Sequence, residues 1–407
     1  MQSKKIGLSM IVKNESHVIT RVLKSVLPLI DYWVVVDTGS TDGTQDLVKN
    51  FFAEHNIPGE LIESEWKDFS TARNISLNAV EPHVDYAIWI DADEELIIEP
   101  GFNKADIFKD DADSISLRTV YGKVDYTRKN IWKTGKKFRW DGPIHELLNS
   151  PEEFKGAVAS NLHVIVRPEG SSWKNIAEKY LAHAKILEEY TKVNFDTRWI
   201  FYTAQSYRDA SQYDKSIEWY RKRASIPTGF YEEIYISRFM VARLSEGLGK
   251  SKQECTTLYQ EAHSVDPVRG EAIKSLIQMY QRLNDWENAY VFSLYGVRYH
   301  NKNPYPNRIL FLDKSLYDYE MLELHSLSCY YTKRYEEGSR CYWAMRNKLK
   351  EMGDSYLTEE QKKKVIDNEK YFPIPQDTIK PAPMKSPTII RGSSYNPSKK
   401  NRKKKKH

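Results

Sequence analysis

The segment from Tyr32 to Thr44 has the sequence YWVVVDTGSTDGT, and its pattern predicts the class of fold. The run from Tyr32 to Val36 is continuously apolar, which is typical of a strand that is covered on both faces. Residues 37–43 combine acidic residues, small residues and glycine, and this composition predicts a tight turn directly after the strand. From Thr44 to His55 apolar residues recur at helical spacing, so a strand followed by a helix is predicted here.

The same order of strand and helix recurs on both sides of this stretch. We predict further strands at residues 6–12, 59–63 and 86–90 and further helices at residues 15–27 and 69–79. Alternation at this spacing implies right-handed crossovers and a mostly parallel α/β sheet. Ligands bind such sheets at the carboxyl ends of the strands. Asp37 and the pair Asp91 and Asp93 both lie at predicted strand ends.

The pattern changes twice further along the chain. Residues 114–121 and 161–166 are shorter strand candidates around a loop-like segment at 136–148. Beyond Trp173 the periodicity becomes helical, and glycine and proline are confined to junctions. We therefore predict three regions, which are an α/β domain at residues 1–168, an all-α domain at 169–370 and a disordered basic tail at 371–407.

An internal repeat is predicted within the helical region. Three segments end in an aromatic residue six positions after their first residue: YRDASQY (207–213), YQRLNDW (280–286) and CYYTKRY (329–335). LSEGLGK (244–250) falls midway between the first two, which gives units of about 36 residues. Such units resemble degenerate tetratricopeptide repeats, in which a helix-turn-helix recurs about every 34 residues. The third segment requires an insertion, for which residues 301–313 are the candidate. Irregular helical hairpins without repeat ancestry are the alternative.

Composition narrows the class of protein. The net charge of +5 depends on residues 399–406 (KKNRKKKK), whose seven basic residues leave about −2 on the rest of the chain. A basic nucleic-acid-binding face is therefore not expected on the folded part. No apolar run of about eighteen residues and no signal-peptide core occurs, so a cytoplasmic protein without a transmembrane segment is expected. Cys255, Cys329 and Cys341 lack zinc-ligand spacing and are expected to be buried small apolar residues.

Asp91-Ala92-Asp93 is the short motif that says most about chemistry. It follows an apolar strand, and alternate residues of an extended segment point the same way, so both carboxylates can face one ligand. A divalent cation that bridges a diphosphate needs carboxylate oxygens held at a rigid edge. The motif therefore predicts a divalent-cation site, with an ordinary acidic turn as the alternative. Glu94 and Glu95 extend the cluster and are expected to be solvated.

Four ordered motifs carry a family resemblance. They are MIVKNE (10–15), VDTGSTDGT (36–44), FSTARN (69–74) and WIDADE (89–94). In this order and spacing they resemble the family 2 glycosyltransferases, whose nucleotide-sugar domain has the Rossmann-like GT-A fold. The resemblance is closest to the branch in which tetratricopeptide-like helices follow that domain, which includes enzymes similar to the sublancin S-glycosyltransferase.

This resemblance implies roles for the residues that would bind the donor. It implies a nucleoside bordered by four residues: Val12, Asn14, Glu15 and Asp37. It implies that Arg73 approaches the diphosphate and that Asp93 binds Mn²⁺ or Mg²⁺ directly. Asp91 would then lie nearer the ribose or a metal-bound water. Thr38 departs from the family pattern, since many members carry a second aspartate at that position.

Residues 138–146 (FRWDGPIHE) resemble the Trp-x-Gly-x-x-His-Glu segment of the same branch. Inverting transfer needs a base that removes the proton of the acceptor as it attacks. Glu146 is the favoured candidate, Asp141 is the second, and a base outside this pair is the third possibility. His145 or His163 could complete the metal shell, with a structural hydrogen-bonding role as the alternative for each.

Together these features predict an enzyme. The expected reaction moves a hexose or N-acetylhexosamine from a nucleotide-diphosphate donor, first of all a UDP-sugar, to a hydroxyl or thiol of a protein, peptide or glycan. The helical domain is expected to hold the acceptor or a protein partner, or to mediate oligomerisation. One alternative is a catalytically inactive sugar-nucleotide-binding scaffold, against which the intact Arg73, Asp91 and Asp93 argue. Another is a nucleotidyltransferase, which would release pyrophosphate.

Overall fold

The structure, a computed structural model, describes most of the chain: residues 4–122, 124–170, 175–301, 305–353 and 356–375. These residues fall into two compact units, Met1–Ala272 with Pro306–Leu312 and Ile273–Tyr305 with Asp313–His407. The domain boundary predicted at residue 168 stays a prediction. The predicted basic tail lies outside the described residues from residue 376 onward.

The first four strands form the parallel half of a sheet. They are β1 (Ile6–Val12), β2 (Tyr32–Asp37), β3 (Gly59–Glu63) and β4 (Tyr86–Trp89), in the spatial order β3-β2-β1-β4. The helices that connect them are α1 (Ile19–Val26), α2 (Thr44–Glu54) and α3 (Phe69–Val80). The predicted α/β alternation is confirmed. Helix α1 begins four residues later than predicted, because the Glu15 carbonyl first accepts a turn hydrogen bond from the Val18 N–H (3.0 Å).

The strands that follow β4 make the sheet mixed, whereas a mostly parallel sheet was predicted. In the part of the chain that the structure describes, eight strands pair in the order β3-β2-β1-β4-β7-β6-β10-β5. The added strands are β5 (Glu94–Ile98), β6 (Ser114–Tyr121), β7 (Val124–Lys133) and β10 (Gly156–Val166). Strand β7 runs antiparallel to both β4 and β6. The sequence did not predict β5, which begins with two glutamates, or β7, whose residues are mostly polar.

A small hairpin replaces the loop that was predicted at residues 136–148. Strands β8 (Arg139–Asp141) and β9 (Leu147–Asn149) pair antiparallel, with Trp140 opposite Leu148. Both of these side chains are buried with Trp89 and with Leu77 of α3. The hairpin therefore belongs to the apolar core on one face of the sheet.

Both faces of the central strands are buried. On one face, Leu8, Val35 and Ile88 belong to an apolar cluster with residues of α1 and α2. On the opposite face, Val34 and Trp132 belong to the cluster that includes α3 and the β8–β9 hairpin. Successive residues of a strand point to opposite faces, so burial on both sides explains the continuous apolar run in β2.

Helices make up the rest of the described chain. The first unit contains α4 (Ile176–Val193), α5 (Thr197–Asp209), α6 (Tyr213–Ala224), α7 (Tyr231–Gly247) and α8 (Lys252–Val265). Consecutive helices among these five pack against each other. Helix α9 (Glu271–Arg282) begins at the end of the first unit, and the second unit continues with α10 (Trp286–His300), α11 (Met321–Tyr331), α12 (Tyr335–Met352) and α13 (Glu359–Asn368). No helix in the described ranges is long and apolar enough to cross a membrane.

The predicted repeat segments share one local structure. In each, the first helix ends at a residue with positive φ: Ser211 (59°), Gly249 (74°), Asn284 (57°) and Lys333 (62°). In each, the following N–H donates to a carbonyl five residues back: Gln212 to Tyr207, Lys250 to Ser245, Asp285 to Tyr280 and Arg334 to Cys329. This is the Schellman ending of a helix. The predicted helix-turn-helix units are therefore present at all four positions.

The segment predicted as an insertion, residues 301–313, contributes to the first unit through residues 306–312. Arg308 pairs with Asp266, with its Nε 2.6 Å from Oδ2. The buried guanidinium of Arg269 donates to the backbone carbonyl of Leu310 (2.9 Å). These bonds hold the segment against the end of α8.

Gly142 lets the β8–β9 hairpin approach α5. Its φ is +95°, and a Cβ at this position would lie 2.2 Å from a ring carbon of Trp199. Trp199 is buried with Ile144 and Leu187 in an apolar cluster that joins the hairpin to the helices. Since His145 and Glu146 follow in the same turn, this close approach positions two of the predicted site residues.

We expect Gly142→Ala to lower the free energy of unfolding by roughly 2–4 kcal/mol, because the methyl group overpacks against Trp199 and the backbone is strained. Gly135→Ala is the matched control, since Gly135 has a similar φ of +79° but open space around an added Cβ. In the control, the free energy of unfolding should fall only by the cost of the backbone strain, about 1 kcal/mol. Urea unfolding followed by tryptophan fluorescence measures both, and equal losses would contradict the close packing.

Candidate functional site

A cleft of about 1170 Å³ opens at the carboxyl ends of β1 and β4. Its walls come from the loops after β1 and β4, from α3, from the β8–β9 hairpin, and from α4 and α5. Eight of the eleven predicted site residues line it: Val12, Asn14, Glu15, Arg73, Asp91, Asp93, His145 and Glu146. The fold therefore brings together motifs that lie far apart in the sequence.

The loop after β1 forms the wall that is expected to border the nucleoside. It is tied to the turn after β2, because the Asn14 N–H donates to Oγ of Ser40 (2.8 Å). The Thr38 N–H donates to the Val12 carbonyl oxygen (3.0 Å), and Glu15 extends the same wall. Thr38, which departs from the family pattern, thus helps to hold the two loops together.

Asp37 lies behind this wall and does not line the cleft. Its Oδ1 accepts from the N–H groups of Gly39 (2.9 Å) and Ser40 (2.8 Å) and from the side-chain amide of Gln45 (2.9 Å). Burial raises the pKa of Asp37, but these hydrogen bonds outweigh burial and hold the pKa below its ordinary value. Its Oδ2 is buried without a hydrogen-bond partner among the described residues. Such an oxygen suits a ligand N–H, so the nucleoside contact of Asp37 stays a prediction.

Asp91 and Asp93 lie just beyond the end of β4. Arg73 holds Asp91, with Nη2 donating to Oδ1 (2.7 Å). Burial raises the pKa of Asp91, but the charges of Arg73 and Arg128 outweigh it, so the pKa lies below its ordinary value. The backbone carbonyl of Asp93 accepts from the Arg167 N–H (2.9 Å). Carboxylates held on a fixed edge are oxygen donors of the kind that Mn²⁺ or Mg²⁺ prefers, and the cation site itself stays a prediction.

Arg73 connects the acidic motif to the hairpin. Its guanidinium carbon lies 4.6 Å from the ring centroid of Trp89 and 4.9 Å from that of Trp140. Its Nε donates to Oε1 of Glu146 (2.6 Å), and its Nη2 donates to Oδ1 of Asp91. Arg73 was expected to approach the diphosphate, but its charge is already shared between two carboxylates. In the structure it holds Asp91 and Glu146 in place, and its approach to the diphosphate stays a prediction.

Glu94 is buried rather than solvated, which corrects the expectation for this residue. Both of its carboxylate oxygens lie 2.8 Å from Nη2 of Arg128. Burial, and then the charge of Asp91, raise the pKa of Glu94 to about 7 against the opposing effect of Arg128. Glu95 is partly buried and accepts from Nη2 of Arg167 (2.9 Å). Arg128 was missed together with its strand β7, and no short motif marks it.

Helices α4 and α5 form a wall of the cleft that the sequence did not predict. They contribute four side chains: Lys179, His183, Arg198 and Tyr202. His145 stacks on Tyr202, with ring centroids 4.1 Å apart. Burial lowers the pKa of His145 to about 3 and that of His183 to about 4, and nearby cations add to both shifts. Both imidazoles are therefore neutral near pH 7.

Besides Asp37, two predicted site residues do not line the cleft. Asp141 is about half exposed, and its Oδ1 accepts from Nε of Arg139 (2.8 Å). It is therefore not placed to act as a base there. His163 lies within β10 and pairs with Glu99, with Nδ1 3.1 Å from Oε1, so it is not placed to complete a metal shell at Asp93. Both residues follow the family motifs in the sequence, but the fold places their side chains away from the cleft.

We expect Arg73→Ala to lower the free energy of unfolding by roughly 3–5 kcal/mol, because it leaves Asp91 and Glu146 without their counter-charge. Arg139→Ala is the matched control. Arg139 pairs with Asp141 at the surface, and losing such a pair costs about 1 kcal/mol or less. Thermal and urea unfolding measure both variants. A loss for Arg73→Ala as small as that of the control would argue against the bridge.

Sequence comparisons connect the first part of the chain to known proteins. The model of the family "Glycosyl transferase family 2" matches residues 8–147. A TPR repeat-containing protein of Synechococcus elongatus is 31% identical over 150 residues, which cover 35% of this chain and 35% of that protein. The SPbeta prophage-derived glycosyltransferase SunS of Bacillus subtilis is 24% identical over 267 residues, which cover 62% of this chain and 61% of SunS. The chain thus matches about a third and about three fifths of these relatives.

Among solved structures, S. aureus TarS 1-349 in complex with UDP-GlcNAc is similar, with a TM-score of 0.32 and 13% identity over 68% of this chain and 92% of that chain. A similarity at this level carries no weight for activity. The family match covers the same segment as the four ordered motifs, and that segment forms most of the cleft. Residues 8–147 are therefore a domain of glycosyl transferase family 2, and helix-turn-helix units follow it in the same chain.

Proposed function

We propose that the chain is a glycosyltransferase that moves a sugar from a nucleotide-diphosphate donor to an acceptor hydroxyl or thiol, with inversion in a single displacement. One observation carries the proposal: Asp91, Asp93 and Glu146 line one cleft of a family 2 domain, at the carboxyl end of β4. The relative SunS, which is named as a glycosyltransferase, supports the reaction class. UDP-sugars are the first donors to test.

Asp93 and Asp91 are the proposed residues for a divalent cation, Mn²⁺ or Mg²⁺. Carboxylate oxygens are the ligands that these hard cations prefer. His145 lines the same cleft as a neutral imidazole, which suits Mn²⁺ as a further ligand. When bound, the cation would offset the negative charge that builds on the departing diphosphate.

Glu146 is the proposed base. Its side chain is 11% exposed, and Nε of Arg73 holds its Oε1 at 2.6 Å. A carboxylate oriented in this way can accept the proton of the acceptor while the acceptor oxygen or sulfur bonds to the anomeric carbon. The bond between that carbon and the diphosphate breaks in the same step, on the opposite face of the sugar. Asp141 is the weaker candidate because it lies outside the cleft.

Helices α4 and α5 are proposed to select the acceptor. Their four side chains, Lys179, His183, Arg198 and Tyr202, line the cleft together with the acidic motif of the sheet. An acceptor in the cleft would therefore contact residues from beyond the family 2 domain. A protein, a peptide or a glycan fits this arrangement, and the later helix-turn-helix units would hold a larger acceptor or a protein partner, or mediate oligomerisation.

One observation favours the alternative of a catalytically inactive sugar-nucleotide-binding scaffold. Arg73, which was expected at the diphosphate, is engaged by Asp91 and Glu146. A donor screen separates the two functions, because a scaffold binds the donor without turning it over. The same screen identifies a nucleotidyltransferase, which releases pyrophosphate in place of a nucleoside diphosphate.

We expect the full chain to release nucleoside diphosphate from at least one nucleotide sugar when Mn²⁺ or Mg²⁺ is present. Asp93→Ala should reduce that rate by about 100-fold or more, because a main source of charge stabilisation is lost. The same variant should bind Mn²⁺ more weakly by electron paramagnetic resonance. Asp46→Ala, at an exposed position on α2, is the matched control and should change neither quantity.

Near-normal turnover by Asp93→Ala would contradict the cation site. Donor binding without turnover, across the whole panel of nucleotide sugars, would establish the scaffold instead.

Glu146→Gln should reduce kcat by about 10²–10⁴-fold, because an amide of the same size cannot accept the proton. Its remaining oxygen can still accept from Arg73, so donor affinity should change little. Asp141→Asn should retain most of the activity. Steady-state kinetics with a saturating acceptor measure both variants, and the reverse pattern would move the base to Asp141.

A further inference from the structure

Three side chains with metal-binding atoms converge in the second unit. His325 and Cys329 lie one turn apart on α11, and Glu337 lies on α12. Nε2 of the histidine, Sγ of the cysteine and a carboxylate oxygen of the glutamate all lie within 4.8 Å of one another. His325 and Cys329 are buried, and Glu337 is partly buried. We propose that these three residues bind Zn²⁺ between the two helices.

The separations fit a tetrahedral zinc site. Nε2 of His325 lies 3.2 Å from Oε1 of Glu337 and 3.5 Å from Sγ of Cys329. With bonds of about 2.0 Å to nitrogen and oxygen and about 2.3 Å to sulfur, tetrahedral ligands lie about 3.3 Å (N to O) and about 3.5 Å (N to S) apart. The two separations that involve His325 are thus already at the values that the ion requires, and all three ligand atoms lie within 4.8 Å of one another.

Ser293 supports the imidazole from the side opposite the other two ligands. Its hydroxyl donates to the Tyr290 carbonyl (3.0 Å), and its Oγ lies 2.8 Å from Nδ1 of His325, where it can accept from an Nδ1–H. With the proton on Nδ1, a neutral imidazole presents the lone pair of Nε2 to Cys329 and Glu337. In the other tautomer the Nε2–H of His325 donates to Oε1 of Glu337, 3.2 Å away, and a bound cation would take the place of that proton.

A hydrogen bond also supports Glu337. The second oxygen of Glu337, Oε2, accepts from the Tyr290 hydroxyl (3.0 Å). A hydrogen-bonded support of this kind is typical of the residues behind metal ligands.

Gly338 allows the two helices to come close at this point. A Cβ at Gly338 would lie 2.9 Å from Cβ of Cys329, so a larger residue would push α12 away from α11. The site therefore takes an i, i+4 pair from α11 and one carboxylate from α12, a spacing that differs from the short loops of common zinc motifs. Water would complete the tetrahedral shell.

Zinc binding would exchange a proton for a metal bond. The thiol of Cys329 loses its proton to the buffer, and the resulting thiolate binds Zn²⁺ with no change in oxidation state. A coordinating metal ion stabilises the thiolate form of a cysteine. The bound ion would link α11 to α12.

Cobalt is a suitable optical probe for this site. The full chain, freed of metal with a chelator, is titrated with Co²⁺ and then with Zn²⁺. A thiolate bound to tetrahedral Co²⁺ absorbs by charge transfer in the near ultraviolet, and Zn²⁺ abolishes the band by displacing Co²⁺. We expect this band in the wild-type chain and a reduction of half or more in Cys329→Ser. Cys255→Ser, which changes a buried cysteine of the first unit, is the matched control and should keep the band.

Three further variants make the experiment decisive. Asp93→Ala should keep the band, which separates this site from the carboxylates of the cleft. Ser293→Ala should weaken Zn²⁺ binding by about 10–100-fold, because it removes the hydrogen bond that orients the histidine. His325→Asn replaces Cys329→Ser if circular dichroism shows that the latter is unfolded. Absence of the band in the wild-type chain, or its full retention in the ligand variants, overturns the proposal.

Discussion

The buried guanidinium of Arg73 holds the candidate site together. Arg73 belongs to α3, one of its carboxylate partners follows β4, and the other follows the turn of the β8–β9 hairpin. The rings of Trp89 and Trp140 pack against the guanidinium, and Arg73 is buried, so little water reaches its charge. Charges interact more strongly in such surroundings than in water. One residue therefore sets the separation between the proposed cation ligand Asp91 and the proposed base Glu146.

The hairpin that carries Glu146 also depends on the helices that follow the family 2 domain. Gly142 lets it lie against Trp199 of α5, and His145 stacks on Tyr202 of the same helix. The cleft is consequently complete only with α4 and α5, although the family match ends at residue 147. Donor chemistry and acceptor selection would thus come from different parts of one compact unit.

The two units carry ligand sets of different chemical character. The cleft of the first unit offers the hard carboxylates Asp91 and Asp93, whereas α11 and α12 of the second offer imidazole, thiol and carboxylate from His325, Cys329 and Glu337. Hard oxygen ligands suit Mg²⁺ and Mn²⁺, and nitrogen with sulfur suits Zn²⁺. Cys255 and Cys329 are buried, as the sequence predicted. The proposed zinc site has no motif along the chain, because its ligands come from two helices.

The sequence by itself determined the parallel half of the sheet, the helix-turn-helix units and most of the donor side of the cleft. These features depend on local rules: the period of apolar residues, the turn after each strand, and the rule that ligands bind where parallel strands end. Three placements follow only from the tertiary structure. Glu94 is buried against Arg128, helices α4 and α5 line the cleft, and Asp141 and His163 lie outside it. Such placements depend on which strands and helices pack together. A buried charge is stable only beside a partner that is distant in sequence, and no local sequence pattern reveals that partner.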